Sequence, residues 1–384
     1  MVSQAAAPFS LAILQRVCTS YRLELFRRLA AHPELRVRVF LGDDLPDSKV
    51  RSTADFADLD VVKLPTRWFG LGRRVLPRHR GLASALRDFD PDVILSEGDS
   101  HFLAFLTAAR VRSERPGRAL VHWGLGGLPR PDGGRLVNRL KRPLQARADA
   151  FLVYSSFGRD TLEQIGHPPE RIVVAVNVSD TDRHLAAAAA LADTRAEARA
   201  ALGLRDRFTV ISIGAMDANK RIDVLIDAVA DLDPARVGLL VVGGGVGLEA
   251  LRSNVSRRGL ENVVLVGAVP PADLARYYRA GDVLALPGRG GMVISEAMAH
   301  GLPVIVHQAD GTETDLVRDG ETGVRLGSGS AEDFRGAIER LAADPEGSAR
   351  MGETGRRLVD QELNMGAMVD RILEVCRIAL AERR

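Results

Sequence analysis

The chain has 384 residues, 46% of them hydrophobic and 27% charged, with a formal net charge of +2. That length accommodates two domains of ordinary size, and the composition excludes the disordered and fibrous classes. The near balance of charge gives no reason to expect a nucleic-acid partner. Cys18 and Cys376, the only cysteines, lie near opposite ends. They offer neither a disulfide framework nor a metal cluster, which fits a reducing cytoplasm. No apolar stretch approaches the ~20 residues that span a bilayer. The N-terminus lacks a basic segment before its short apolar run, so the expectation is a cytoplasmic protein without a signal peptide.

In chain order, apolar runs at residues 11–14, 37–41, 61–64, 93–95, 119–122, 151–154 and 172–176 read as strands. Amphipathic stretches at 21–31, 81–88 and 158–165 fall between them. Strands alternating with helices predict a parallel, doubly wound sheet. The polar segment after Asn177 reads as a turn, followed by one Ala-rich helix over 184–202, and the domain boundary falls near Ser179. The second half predicts strands at 209–213, 238–242, 263–266, 283–286 and 304–306, with helices at 221–231, 248–258, 272–280 and 292–300. Its near-continuous Val/Leu/Ile runs predict strands buried on both faces. Two α/β halves suggest a ligand cleft between them. The predicted organisation is therefore 1–178, 179–364 and a last helix over 365–384.

The most informative segment runs from Leu284 to Val306. A strand breaks at Pro287-Gly288-Arg289-Gly290-Gly291, a helix carrying Glu296 follows, and Gly301-Leu-Pro leads into another strand. Glycines let backbone N–H groups approach a ligand, and a helix N-terminus favours negative charge. The layout suits a phosphate-bearing ligand at the carboxyl ends of parallel strands; the plain alternative is an ordinary strand–turn–helix–strand.

Glu296-Ala-Met-Ala-His-Gly-Leu-Pro-Val-Ile resembles the donor-site signature of the retaining glycosyltransferases of family 4, which have the GT-B fold. That signature holds two glutamates separated by seven residues. Glu296 matches the second, and Gly288 stands where the first would be, as in the Pro-Gly-x-x-Gly version of divergent bacterial members. The family also places Gly-Arg, four residues and Lys-Gly after the first strand of its second domain. Here Gly214 and Lys220 match at the same spacing, Ala215 replaces the arginine and Arg221 follows the lysine. Lys220 is one of four lysines, with Lys49, Lys63 and Lys141. A compact ammonium suits phosphate, and Arg221 offers a forked contact in partial replacement of the lost charge; a solvated Lys-Arg pair at a helix start is the alternative.

The resemblance implies two Rossmann-like, doubly wound parallel-sheet domains facing a cleft. A nucleotide-sugar would bind the second domain as co-substrate, without a separate cofactor or metal. A glycan, lipid-linked or small-molecule acceptor would bind the first, and transfer would retain the anomeric configuration. By the same resemblance Gly214, Gly288, Gly290, Gly291, Met292, Val293 and Glu296 bind the donor, with Glu296 on the ribose hydroxyls. Lys220 and Arg221 would stabilise the leaving diphosphate. His122, at a strand end, would contact the sugar or the reacting centre, and a packed structural histidine is the alternative. Tyr21 and Arg22 are acceptor candidates or part of a capped surface helix. Glu97 is a third acceptor candidate, and Asp99 and Ser100 beside it suit helix capping.

Two features favour other classes. Gly245-x-Gly247-x-x-Ala250 satisfies a relaxed dinucleotide fingerprint, but the next strand, 263–266, runs into Gly267 without the acid that a nicotinamide ribose needs. The missing glutamate and arginine leave room for a non-catalytic sugar-nucleotide- or glycan-binding protein. Arg67, Trp68, Phe69, Arg73, Arg74, Arg78 and Arg80 combine charge with aromatic rings. They suit either peripheral contact with an anionic membrane surface or a solvated loop.

Overall fold

The computed structural model describes residues 8–44, 52–53, 55–56, 58–71, 74–98, 102–127 and 142–383. Asp99, Ser100, Arg73, Lys49 and Lys141 lie outside these residues. The chain divides into two compact units, Met1–Val176 with Gly366–Arg384, and Asn177–Met365.

In the first unit, β1 (Phe9–Gln15) leads through α1 (Ser20–Ala30) to β2 (Leu35–Gly42) and β3 (Val61–Leu64). An antiparallel pair follows, β4 (Thr66–Leu71) with β5 (Arg74–His79). Then come α2 (Leu82–Phe89), β6 (Val93–Glu97), α3 (Phe102–Ser113), β7 (Ala119–Gly124), β8 (Ala150–Val153), α4 (Ser156–Gln164) and β9 (Ile172–Val174). Seven parallel strands form one sheet in the order β3-β2-β1-β6-β7-β8-β9. β1 and β7 are buried along their whole length, as strands covered on both faces must be. Ala12, Leu14, Phe40, Phe89, Phe105 and Phe151 belong to one core cluster on this sheet.

The second unit starts with α5 (Thr181–Ala190) and α6 (Arg195–Ala201). Where the sequence predicts a single helix there are two. Thr194 accepts from the Glu197 amide while Glu197 reaches back to the Thr194 amide, and this reciprocal cap starts a new helix inside the Ala-rich run. Six parallel strands follow: β10 (Phe208–Ile213), β11 (Val237–Val242), β12 (Val263–Gly267), β13 (Val283–Leu286), β14 (Val304–His307) and β15 (Gly323–Leu326). They are joined by α7 (Ile222–Ala230), α8 (Leu248–Arg258), α9 (Leu274–Ala280), α10 (Met292–Ala299) and α11 (Glu313–Leu316), and followed by α12 (Ala331–Ala343) and α13 (Pro345–Gln361). The sheet order is β12-β11-β10-β13-β14-β15. The last helix, α14 (Met365–Ala381), belongs to the first unit, where Arg377 pairs with Glu34 at 2.6 Å.

Both sheets therefore reverse their strand order at one point, between β1 and β6 and between β10 and β13. Chains leaving such neighbours turn to opposite sides, which opens a crevice at the carboxyl ends. β15 and the β4–β5 pair are the strands that the periodicity does not predict. β15 has four residues, and β4 carries charge and rings in place of a clean apolar alternation.

Candidate functional site

The crevice of the second unit is built from the loops after β10 and β13. Gly214 ends β10 with φ +144°, a region that favours glycine, and a Cβ there would lie 3.3 Å from Lys220 Cε. Lys220 Nζ donates to the Arg289 carbonyl at 2.5 Å, and the Arg289 amide donates to the Asn219 carbonyl at 3.1 Å. These two bonds tie the lysine loop to the glycine loop. Burial lowers the Lys220 pKa from its ordinary value, against the opposing pull of Asp217, Asp310 and Glu296. The ammonium is thus a half-buried cation at the switch point.

Gly288 is tightly enclosed by main chain. A Cβ built on it would overlap the Asn219 carbonyl oxygen and press on the Lys220 backbone. The absent glutamate is therefore a packing necessity here, because main chain fills the space its side chain would need. Gly290 packs on Leu286, whereas Gly291 has φ +56° and open space at its Cβ position. α10 begins at Met292, and the Met292 and Val293 amides have no acceptor among the described residues. Two N–H groups at a helix start, three and four residues after the Arg289 carbonyl that holds the Lys220 ammonium, are chemically suited to an anion.

Glu296 sits one turn into α10. Its Oε2 accepts from the Tyr278 hydroxyl at 2.7 Å, and its Oε1 lies 3.9 Å from His184 Nε2. His300 stacks on Tyr278 with ring centroids 4.5 Å apart, and its Nε2 is 3.3 Å from His184 Nδ1. Tyr278 is fully buried, and burial with the neighbouring carboxylate raises its hydroxyl pKa, so it stays a donor. Tyr278, His184 and His300 escape the sequence reading. Only His300 lies inside the signature; Tyr278 and His184 are separated from it by helix and strand.

Arg221 takes a different direction from Lys220. It caps α7 in the left-handed region, φ +51°, and its guanidinium donates to the Gly329 carbonyl at 2.9 Å. The glycine loop after β11 is also committed. Cβ atoms on Gly243 and Gly245 would overlap the Gly214 and Met216 carbonyls, and the Met216 amide donates to Gly244 at 2.9 Å. These glycines clasp the β10 loop. Glu313, 2% exposed, accepts from the Gly311 amide at 3.0 Å and fixes the loop after β14.

In the first unit His122 is 3% exposed, edge-on to Phe105 at 5.3 Å and beside Phe151 at 5.8 Å. Its Nε2 lies where a Gly98 Cβ would project. Glu97 accepts from the Arg16 amide at 3.1 Å, Tyr21 is 39% exposed, and Arg22 is buried. The β4–β5 pair leaves Phe69 and Leu76 exposed, with Arg67, Arg78 and Arg80 beside them in the chain.

The family described as Glycosyltransferase Family 4 matches residues 20–183, and that described as Glycosyl transferases group 1 matches residues 194–358. The chain belongs to the family 4 glycosyltransferases. It is 32% identical over 247 residues to the D-inositol 3-phosphate glycosyltransferase of Corynebacterium aurimucosum, covering 61% of this chain and 57% of the relative. It is 35% identical to the GDP-mannose-dependent alpha-(1-6)-phosphatidylinositol monomannoside mannosyltransferase of Mycolicibacterium smegmatis, covering 46% of this chain and 48% of that protein. The chain thus spans about half the length of the curated relatives it matches. Among solved structures, HepE of Anabaena in complex with UDP superposes with a TM-score of 0.73 at 20% identity, covering 95% of this chain and 98% of HepE. A glycosyltransferase of Rickettsia africae gives 0.74 at 13% identity, covering 96% and 98%. At these identities the likeness establishes the GT-B fold.

Acid sensitivity follows from the buried imidazoles of this family 4 glycosyltransferase. Burial, then the charges of His184 and Arg279, push His300 down to about 3. Burial, then Arg142 and His122, push His167 down to about 4. An unfolded histidine titrates near ~6.5, so below that pH the unfolded chain holds more protons than the folded one. Stability should therefore fall as pH drops from about 6.5 towards about 4. Melting temperatures between those values measure it, and His300→Gln should flatten the slope. An unchanged slope in that variant would remove His300 from the account.

Proposed function

We propose that this protein transfers a sugar from a nucleotide-sugar to a hydroxyl-bearing acceptor, with retention at the anomeric carbon and without a metal ion. The carrying observation is the cradle at the β10–β13 switch: the Lys220 ammonium, the free amides of Met292 and Val293, and Glu296 held by Tyr278. The cation and the amides suit the two phosphates, and the carboxylate suits adjacent ribose hydroxyls. As the bond to the anomeric carbon breaks, charge grows on the departing diphosphate. Donors already aimed at that charge lower the barrier without reorganising. Nucleotide-sugar chemistry is consistent with the relatives named for D-inositol 3-phosphate and GDP-mannose-dependent transfer. The acceptor class spans glycans, lipid-linked carriers and small molecules. Exposed Phe69 and Leu76 among arginines favour peripheral contact with anionic lipid, which vesicle co-sedimentation tests.

Titration of the protein with UDP-, GDP- and dTDP-sugars should show one nucleotide raising the melting temperature, with NAD inert. A rise with NAD alone would overturn the reading. A second reading, a binding protein without turnover, is favoured by Ala215 and Gly288 at positions the family fills with arginine and glutamate. Donor binding with no transfer to any acceptor across a broad panel would select it.

A further inference from the structure

Glu296 and His300 stand four residues apart, so they share one face at the end of α10. Two other helices bring partners to that face. Tyr278 lies on α9, and the neighbouring Arg279 donates to the Ala188 and Leu191 carbonyls at 3.1 Å each, which fixes α9 against the end of α5. His184 lies one turn before Ala188 on α5, edge-on to Tyr278 with ring centroids 6.2 Å apart. The Glu296 carboxylate is therefore met from α5 and α9 at once, while four-fifths of its side chain is withdrawn from water.

The two imidazoles have one arrangement that suits a carboxylate. Burial lowers both pKa values, that of His300 to about 3, so both rings are neutral at pH 7. The 3.3 Å contact between His300 Nε2 and His184 Nδ1 then holds a single proton. With that proton on His184 Nδ1, the lone pair of His184 Nε2 would face Glu296 Oε1 at 3.9 Å and be repelled. With it on His300 Nε2, His184 turns its own N–H toward the carboxylate. The negative charge selects the second arrangement. At 3.9 Å this N–H attracts Oε1 without forming a hydrogen bond, whereas the Tyr278 hydroxyl takes one lone pair of Oε2 at 2.7 Å. No other donor among the described residues reaches Glu296. The carboxylate is thus held at one oxygen, steered at the other, and left with lone pairs for two further donors.

We infer that Tyr278, His184 and His300 are positioning residues: they hold Glu296 in a fixed orientation toward two adjacent hydroxyls, and so set how strongly the protein prefers a ribonucleotide to its deoxy form. The inference rests on the proposed transferase reading, in which Glu296 takes the ribose. A carboxylate free to swing loses that freedom when a ligand binds, whereas one already held does not. Each of the three acts through Glu296. His300 acts at one further remove, by fixing the His184 tautomer and by stacking on Tyr278.

The test is calorimetric titration of the full chain with UDP, GDP and ADP, with the 2′,3′-dideoxy form of whichever binds most tightly, and with inorganic pyrophosphate. The parent should bind the ribonucleotide at least ~10-fold more tightly than its dideoxy form. Tyr278→Phe should weaken the ribonucleotide about 5–10-fold and leave the dideoxy form and pyrophosphate unchanged. His184→Ala should weaken it about 3-fold with the same selectivity, and His184→Gln, which restores an N–H donor, should recover most of that loss. In a Glu296→Ala background Tyr278→Phe should add no further loss, because the group it positions is gone. An equal loss for all three ligands would assign Tyr278 a packing role and overturn the inference, as would a ribonucleotide preference that survives both Tyr278→Phe and His184→Ala. If Tyr278→Phe does not fold, the two His184 variants decide, since that side chain is 18% exposed on a helix surface. A parent that binds the ribo and dideoxy forms equally ends the inference and leaves the diphosphate contacts standing. A parent that binds no nucleotide and no pyrophosphate ends the transferase reading as well.

Discussion

Replacing Lys220 by Ala should lower kcat for sugar transfer by roughly 10²–10³-fold, with the melting temperature nearly unchanged. The lysine reaches the Arg289 carbonyl across the two loops of the second unit's switch point, and burial makes its charge count for more than a surface lysine's would. Removing one preorganised donor from a developing oxyanion is the kind of change that costs the chemical step more than binding. Nucleoside diphosphate affinity should fall less than kcat. Arg221→Ala provides the contrast: its guanidinium is spent on Gly329, so turnover should change only a few-fold. Steady-state kinetics on the two variants decides the matter. Near-normal turnover in Lys220→Ala, or a larger loss in Arg221→Ala, would refute the assignment.

The second large effect concerns Gly288. Restoring the family's glutamate, Gly288→Glu, should impair the protein. The Asn219 carbonyl and the Lys220 backbone occupy the space a Cβ would take, so any side chain must push the lysine loop away. Overpacking of this kind costs about 1–3 kcal/mol, and for a unit of this size each kcal/mol lowers the melting temperature by about 2–4 °C. The displaced loop carries Lys220, so activity should fall further than stability. Gly288→Ala should show the same effects in milder form. Calorimetry and a transfer assay read both. A glutamate variant as stable as the parent and more active would show that the loop yields easily.

Much of this was legible in the sequence because it depends on local pattern. Apolar runs alternating with amphipathic helices specify parallel strands and covering helices whatever surrounds them, and the Glu296 signature with the Gly214–Lys220 spacing marks the loops after β10 and β13. The β4–β5 pair, the four-residue β15 and the break between α5 and α6 were not legible. Short or charged strands carry no periodicity, and the reciprocal Thr194–Glu197 cap is easily overlooked in an Ala-rich run.

Within the site, composition and spacing supplied the ingredients: one lysine at a glycine-bearing strand end, glycines before a helix, and an acid on its first turns. Only the tertiary structure decided their partners. Lys220 and Arg221 are neighbours in the chain, yet the left-handed turn at Arg221 sends one cation to the crevice and the other to the Gly329 loop. Tyr278 meets Glu296 across 18 residues, and Arg22 meets Tyr154 across 132. Sequence fixes which groups exist and how each segment folds locally. Long-range packing determines which are desolvated and which face one another, and those two quantities set the strength of a charge.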